Sequence, residues 1–209
     1  MFCVLAFGAC YVYSPQGVGQ ASARSRRVRA FLKSGDQAFL LKYARIVKGQ
    51  VSNGCLLSRL FDENPILVPI PGAIPRGPES PWVAERLCLA LRRQGLGRSV
   101  WTGLRRVSAV RKSGTASPDE RPSTWTHYNS FLVDSPPADA NRILLVDDIV
   151  TKGRTLLAAA TRNQETCPGA RVEAFAFVRT MGLVSDVKRL VDPCLGEIRW
   201  RRGDAHRAP

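Results

Sequence analysis

Two histidines, His127 and His206, are all that the 209 residues contain, which excludes chemistry built on a multi-histidine metal site. The six cysteines (Cys3, Cys10, Cys55, Cys88, Cys167 and Cys194) include no CxxC pair, so neither a zinc ribbon nor a disulfide framework is indicated. They read as small core residues in a reducing cytosol, and the chain is expected to be cytoplasmic. Long apolar runs are equally scarce. The only one, Met1 to Val12, is interrupted by Gly8, lacks a basic leader and is too short for a bilayer core of roughly 30 Å, so a buried first strand is expected and no membrane partner. Internal repeats and low-complexity blocks are missing. Acidic residues are few: 17 Asp and Glu against 31 Lys and Arg leave a net charge of +14, a field that attracts anions whatever the fold. The excess sits at Arg24, Arg26, Arg27, Arg29 and Lys33, between Arg92 and Lys112, and at Arg199, Arg201, Arg202 and Arg207. Small phosphates, DNA or RNA, or plain solvation of basic faces would each account for it.

What is present is enough for one sizeable core, with 4 Trp and 8 Phe in an ordinary apolar background. A single domain over residues 1–209 is expected, with 1–38 a basic N-terminal segment and 199–209 a loose basic tail. Strand-like and helix-like segments alternate, the mark of an α/β architecture with a central, mainly parallel sheet flanked by helices. Pro65 to Ile70 reads as a buried strand ended by Pro71 and Gly72. Ser80 and Pro81 then open a helix whose apolar face is Val83, Ala84, Leu87, Cys88 and Leu91. Ser108 to Tyr128 is polar and shows neither period, and a loop of that length inside a compact domain is usually functional. Strands are expected at Asn129–Val133, Ile143–Val146 and Val172–Val178, and helices at Leu156–Asn163 and Leu183–Val191.

The segment that carries chemistry is Ile143-Leu144-Leu145-Val146-Asp147-Asp148-Ile149-Val150-Thr151-Lys152-Gly153-Arg154-Thr155-Leu156. A strand buried on both faces ends in two carboxylates, and a hydroxyl-bearing turn then opens a helix. Ligands of open α/β sheets bind at the carboxyl ends of the strands, where a helix N-terminus offers free N–H groups and partial positive charge to a phosphate. Thr151 and Thr155 add hydroxyls, Gly153 admits a close backbone approach, and two carboxylates suit sugar hydroxyls and a nearby Mg²⁺. A ribose 5-phosphate needs both kinds of group.

The string is similar to the 5-phosphoribosyl-1-pyrophosphate (PRPP) signature of type I phosphoribosyltransferases. From about Phe39 to Thr180 the chain further resembles the competence-protein ComF branch of that family, without the N-terminal zinc ribbon common there. Lys152 and Arg154 depart from the family's small or hydroxyl residues at their positions. Val68-Pro69-Ile70-Pro71 followed by Arg76-Gly77 resembles the branch's pyrophosphate loop, although Pro78-Glu79-Ser80 replaces its usual Phe-Asn-Gln. The resemblance implies a type I phosphoribosyltransferase fold with a mobile flap over Arg105 to Phe131, and transfer of a phosphoribosyl group to a nitrogen nucleophile with release of pyrophosphate. Val150, Thr151, Lys152, Gly153, Arg154 and Thr155 would hold PRPP, and Pro71, Gly72, Arg76 and Gly77 the pyrophosphate. Asp147 and Asp148 would orient the ribose and hold Mg²⁺, and Arg106 or Lys112 would meet the leaving group. Arg179 to Leu183 is where the resemblance puts the acceptor hood. The alternative is a non-catalytic PRPP-fold sensor or accessory subunit that binds nucleic acid through the basic clusters and Trp101, Trp125 and Trp200. The arginines between Arg24 and Arg29 lie far in sequence from the phosphate loop, so their removal is expected to spare PRPP binding. The acceptor and the oligomeric state are left open.

Overall fold

The structure is a computed structural model that describes residues 2–75, 82–111, 120–182 and 186–209. In chain order its elements are β1 (Leu5–Tyr13), α1 (Gln20–Ser34), α2 (Gln37–Ser52), α3 (Ser58–Phe61), β2 (Ile66–Pro69), α4 (Val83–Arg93), β3 (Ser99–Val100), β4 (Leu104–Arg106), α5 (Thr124–Ser130), β5 (Phe131–Val133), β6 (Arg142–Val150), α6 (Arg154–Thr166), β7 (Arg171–Thr180), β8 (Val191–Arg201) and β9 (Asp204–Ala208).

The architecture is α/β. Seven strands form one sheet in the order β3-β2-β6-β7-β1-β8-β9. The first five are mutually parallel, and β8 and β9 add antiparallel at one edge. Burial on both faces explains why β6 and β7 read as continuous apolar runs. Ile143 and Leu145 face a core shared with Leu156, Leu157 and Ala160 of α6, whereas Leu144 and Val146 face a core shared with Leu40, Val47, Leu87 and Leu91 of α2 and α4. Met1 to Val12 yields β1, an interior strand flanked by β7 and β8, as its apolar content demands. All six cysteines are free, and among the described residues no helix is long and apolar enough to cross a membrane.

Three segments differ from the sequence-based expectations. Ser108–Tyr128 is not wholly loop, because Ser123 caps α5 by accepting from the Thr126 N–H at 3.1 Å. A capped helix of 7 residues is too short to display a 3.6 period. No helix covers Asp186–Leu190; Leu183 lies outside the described residues. Asp186 is engaged elsewhere, accepting from the Gly19 N–H at 2.8 Å and from the Ser22 hydroxyl, a carboxylate placed at the N-terminus of α1. Val191 then starts an 11-residue strand. Finally, Arg199–Pro209 is no loose tail. Arg202 and Gly203, at φ 49° and 81°, make the two-residue turn that joins β8 to β9, positive φ at both central positions being what the twist of a tight hairpin requires. Ile198 of this hairpin is fully buried.

Candidate functional site

The chain leaves β2 toward β3 on one side of the sheet and leaves β6 toward β7 on the other, so the connections diverge between β2 and β6. A crevice opens at such a switch point, beyond the carboxyl ends of the strands. Because Pro69 pairs with Val146, the Pro71–Pro75 loop leaves the sheet beside the last residues of β6, Asp147–Val150, which stay paired with β7. The cleft there is lined by Arg121, His127, Asp147 and the continuous stretch Ile149 to Leu156. All six residues expected to hold the sugar phosphate, Val150 to Thr155, are on its wall.

Gly153 stands at φ 87° as the N-cap of α6, and a Cβ there would lie 2.5 Å from the Ile198 Cδ1. Both the left-handed backbone and the β8 packing therefore demand glycine. Gly153→Ala should cost about 2 to 4 kcal/mol, the sum of the left-handed penalty and overpacking, read from urea unfolding. An unchanged midpoint would contradict this packing. Lys152, which is exposed, and Arg154, which is half-buried, are both engaged by Asp204. The Lys152 Nζ is 3.0 Å from Asp204 Oδ2, and Arg154 donates to Asp204 Oδ1 and Oδ2 at 2.5 and 2.6 Å. Burial pushes the Asp204 carboxyl up, but these donors outweigh it and hold it well below the usual carboxylate range. Arg154 also donates to the carbonyls of Arg121 and Pro122, tying the segment before α5 to the turn between β6 and α6.

The two acids take different partners. Adjacent residues of a strand project to opposite faces. Asp147 lines the cleft on the α5–α6 side, where its Oδ1 accepts the Asp148 N–H at 2.8 Å. Asp148 turns to the other layer and pairs with Lys33, at the end of α1, at 2.5 Å. Burial is the main cause that raises the Asp147 pKa, with the Asp148 charge adding to it and Lys33 opposing. Among the described residues no cluster of three or more His, Cys, Asp or Glu could hold a metal ion by itself. Of the pair that the resemblance implies for one Mg²⁺, Asp147 is on the cleft wall and Asp148 is held by Lys33.

Arg106 is also placed differently from the expectation. It is 5% exposed on β4, donating to the Gly72 carbonyl and the Ser130 hydroxyl, with its guanidinium 4.3 Å from the centre of the Phe131 ring. Burial lowers its pKa to about 10 while Asp147 opposes the change. It braces the wall between the two loops. Arg105 points outward into a bidentate pair with Asp134, and Arg111 pairs with Glu120 at 2.5 Å. β4 and β5 form a two-stranded antiparallel ribbon beside the cleft. Pro71 is buried and Gly72 exposed at the start of the other loop. Arg76, Gly77 and Lys112, with the Pro78 to Ser80 stretch and the middle of the expected flap, lie outside the described residues. Arg179, expected near an acceptor hood, is 7% exposed and paired with Asp192 at 2.5 Å.

Two residues of the site are not found by the motif. Lys33 belongs to the arginine-rich segment, which forms α1 and reaches the acid pair despite its distance in sequence. Along α1, Arg24 and Arg27 are exposed, while Arg26 donates to the Ser14 and Gly17 carbonyls and Arg29 lies over the Tyr13 ring. His127 is 4% exposed, with Nδ1 3.5 Å from Arg106 Nη2 and Nε2 3.3 Å from Thr155 Oγ1. Only the N-cap pattern around Ser123 hinted at its helix. The tryptophans are mostly engaged. Trp125 and Trp200 pack on Phe2 at 4.6 and 4.7 Å, and Trp101 is packed against the core.

Compared with known proteins, the chain matches no protein-family model and no curated sequence.

Proposed function

We propose that this chain is a phosphoribosyltransferase of the type I fold, which binds PRPP in the cleft at the carboxyl end of β6 and transfers the phosphoribosyl group to a nitrogen nucleophile. The observation that carries this reading is the continuous wall Ile149 to Leu156, a strand, turn and helix N-terminus that curve around one cleft with the Asp147 carboxylate beside them. The first-turn N–H groups of α6 lack partners within the helix, so they and the Thr151 and Thr155 hydroxyls suit the 5-phosphate. Asp147 accepts hydrogen bonds from the ribose hydroxyls. The Pro71–Pro75 loop, held by Arg106 through the Gly72 carbonyl and by the Val110 N–H on the Ala73 carbonyl at 2.7 Å, flanks the place for the pyrophosphate.

The donor set fits Mg²⁺ carried in by the substrate rather than held in an all-protein cage. That ion commonly keeps several waters and takes one or two carboxylates together with substrate phosphates, and Asp147 is the carboxylate on the cleft. When bound, it would neutralise charge on the departing pyrophosphate. The chain's own part is to fix C1 of the ribose against that leaving group and to supply fixed positive charge around it.

In the ligand-free chain Lys33 holds the other acid. Lys33→Met should therefore tighten PRPP by a few-fold, up to about fivefold, since a half-exposed ion pair contributes little and a ribose hydroxyl would no longer compete with it. Calorimetry decides this, and weaker binding would instead make Lys33 a ligand contact. The transfer itself is tested by pyrophosphate release from PRPP and Mg²⁺ with a panel of nitrogen bases and amines. The expected result is acceptor-dependent release that Asp147→Asn removes. PRPP binding without release from any acceptor would overturn the transferase reading and favour a sensor.

A further inference from the structure

We infer that His127 is a positioning residue which, with Arg106, fixes the Thr155 hydroxyl as a hydrogen-bond donor into the cleft, so that this position takes an unprotonated oxygen of a phosphate group. The inference rests on the sugar-phosphate reading of the cleft and specifies which oxygen of the bound group faces Thr155.

It follows from the direction of a chain of contacts. Arg106 can only donate, its guanidinium having five N–H groups and no acceptor. Its Nη2 lies 3.5 Å from His127 Nδ1, so that nitrogen presents its lone pair and carries no proton. The ring is 4% exposed, and burial together with the Arg106 and Arg154 charges keeps it neutral, its pKa lowered to about 4. A neutral imidazole without a proton on Nδ1 has it on Nε2. Nε2 is 3.3 Å from Thr155 Oγ1, so the ring donates and the hydroxyl accepts. Among the described residues Thr155 has no other side-chain hydrogen bond, and it is on the cleft wall in the first turn of α6. Its own proton is therefore left to point at the ligand. A P–OH turned here would meet a second donor, whereas an unprotonated phosphate oxygen meets a match.

The test has two arms on the full chain. With only two histidines, nitrogen-15 NMR assigns His127 by difference against His206→Gln. The expected spectrum at pH 7 shows a neutral ring protonated on Nε2; an Nδ1–H tautomer or an imidazolium would overturn the inference. In the second arm ribose 5-phosphate is titrated calorimetrically. Thr155→Val and His127→Ala should each weaken it by about tenfold, one hydrogen bond to a charged group, with Thr155→Ser and His127→Gln recovering most of the loss because they retain the O–H and an N–H donor. Wild-type affinity in Thr155→Val, or in His127→Ala with its fold intact by circular dichroism, would overturn the relay. No binding of ribose 5-phosphate by the unaltered chain would overturn the sugar-phosphate reading itself, while the spectrum still decides the direction of the hydroxyl.

Discussion

Asp147→Asn should bind PRPP about 10- to 150-fold more weakly than the unaltered chain while unfolding at the same temperature or a higher one. The loss follows from replacing a carboxylate, which accepts charge-assisted hydrogen bonds from sugar hydroxyls at about 1.5 to 3 kcal/mol, by a neutral amide. The retained stability follows from the electrostatics of the free chain. Burial and the Asp148 charge already disfavour the ionised Asp147, so the fold holds its proton to a higher pH than the unfolded chain does, and the charged form is a cost near neutrality. An isosteric amide removes that cost. Asp148→Asn should behave differently, because it releases Lys33 rather than emptying the cleft wall. A thermal melt and a calorimetric titration of both variants would check this. If Asp147→Asn melted far below the unaltered chain, its carboxylate would be structural.

Acid should weaken the fold through His127 by about 3 kcal/mol. The folded ring titrates near 4 instead of 6.5, mainly because it is buried and also because Arg106 and Arg154 face it. The folded state thus binds fewer protons than the unfolded chain, and stability is full above pH 6.5, falls as pH drops, and levels off near pH 4. Asp147 contributes with the opposite sign, its raised pKa favouring the fold toward low pH. The difference between the chain and His127→Gln isolates the histidine. Urea unfolding from pH 7 to pH 4 should show the parent losing about 3 kcal/mol relative to the variant; parallel curves would place a charged or solvated ring at position 127.

The parallel sheet was legible wherever one period dominated. Ile143 to Val146 and Val172 to Val178 are apolar on both faces, and the α4 face from Val83 to Leu91 repeats at helical spacing, so composition alone located them. The β6–α6 turn was legible because a local string carries its own strand, turn and helix. What remained hidden depends on partners distant in sequence. The Arg199–Pro209 segment looks like a solvated tail until Ile198 is seen under Gly153 and Asp204 against Lys152 and Arg154. The Leu183–Val191 pattern resembles a helix, but Asp186 is drawn to the start of α1. Asp147 and Asp148, adjacent in the string, meet different partners because a strand alternates its faces, a fact available from the sequence once the strand is extended to Val150. Lys33 and His127 came from segments whose only sequence signals were charge and a cap.

Binding of PRPP in the β6–α6 cleft is checked by calorimetric titration of the full chain with PRPP and Mg²⁺, alongside the double variant Asp147→Asn, Thr155→Val. One saturable site is expected in the unaltered chain, at a hundredfold excess over its dissociation constant adding about 2.7 kcal/mol to stability, and no measurable site in the double variant. Titration to millimolar PRPP without saturable heat or any rise in melting temperature, or equal binding by the double variant, would contradict it.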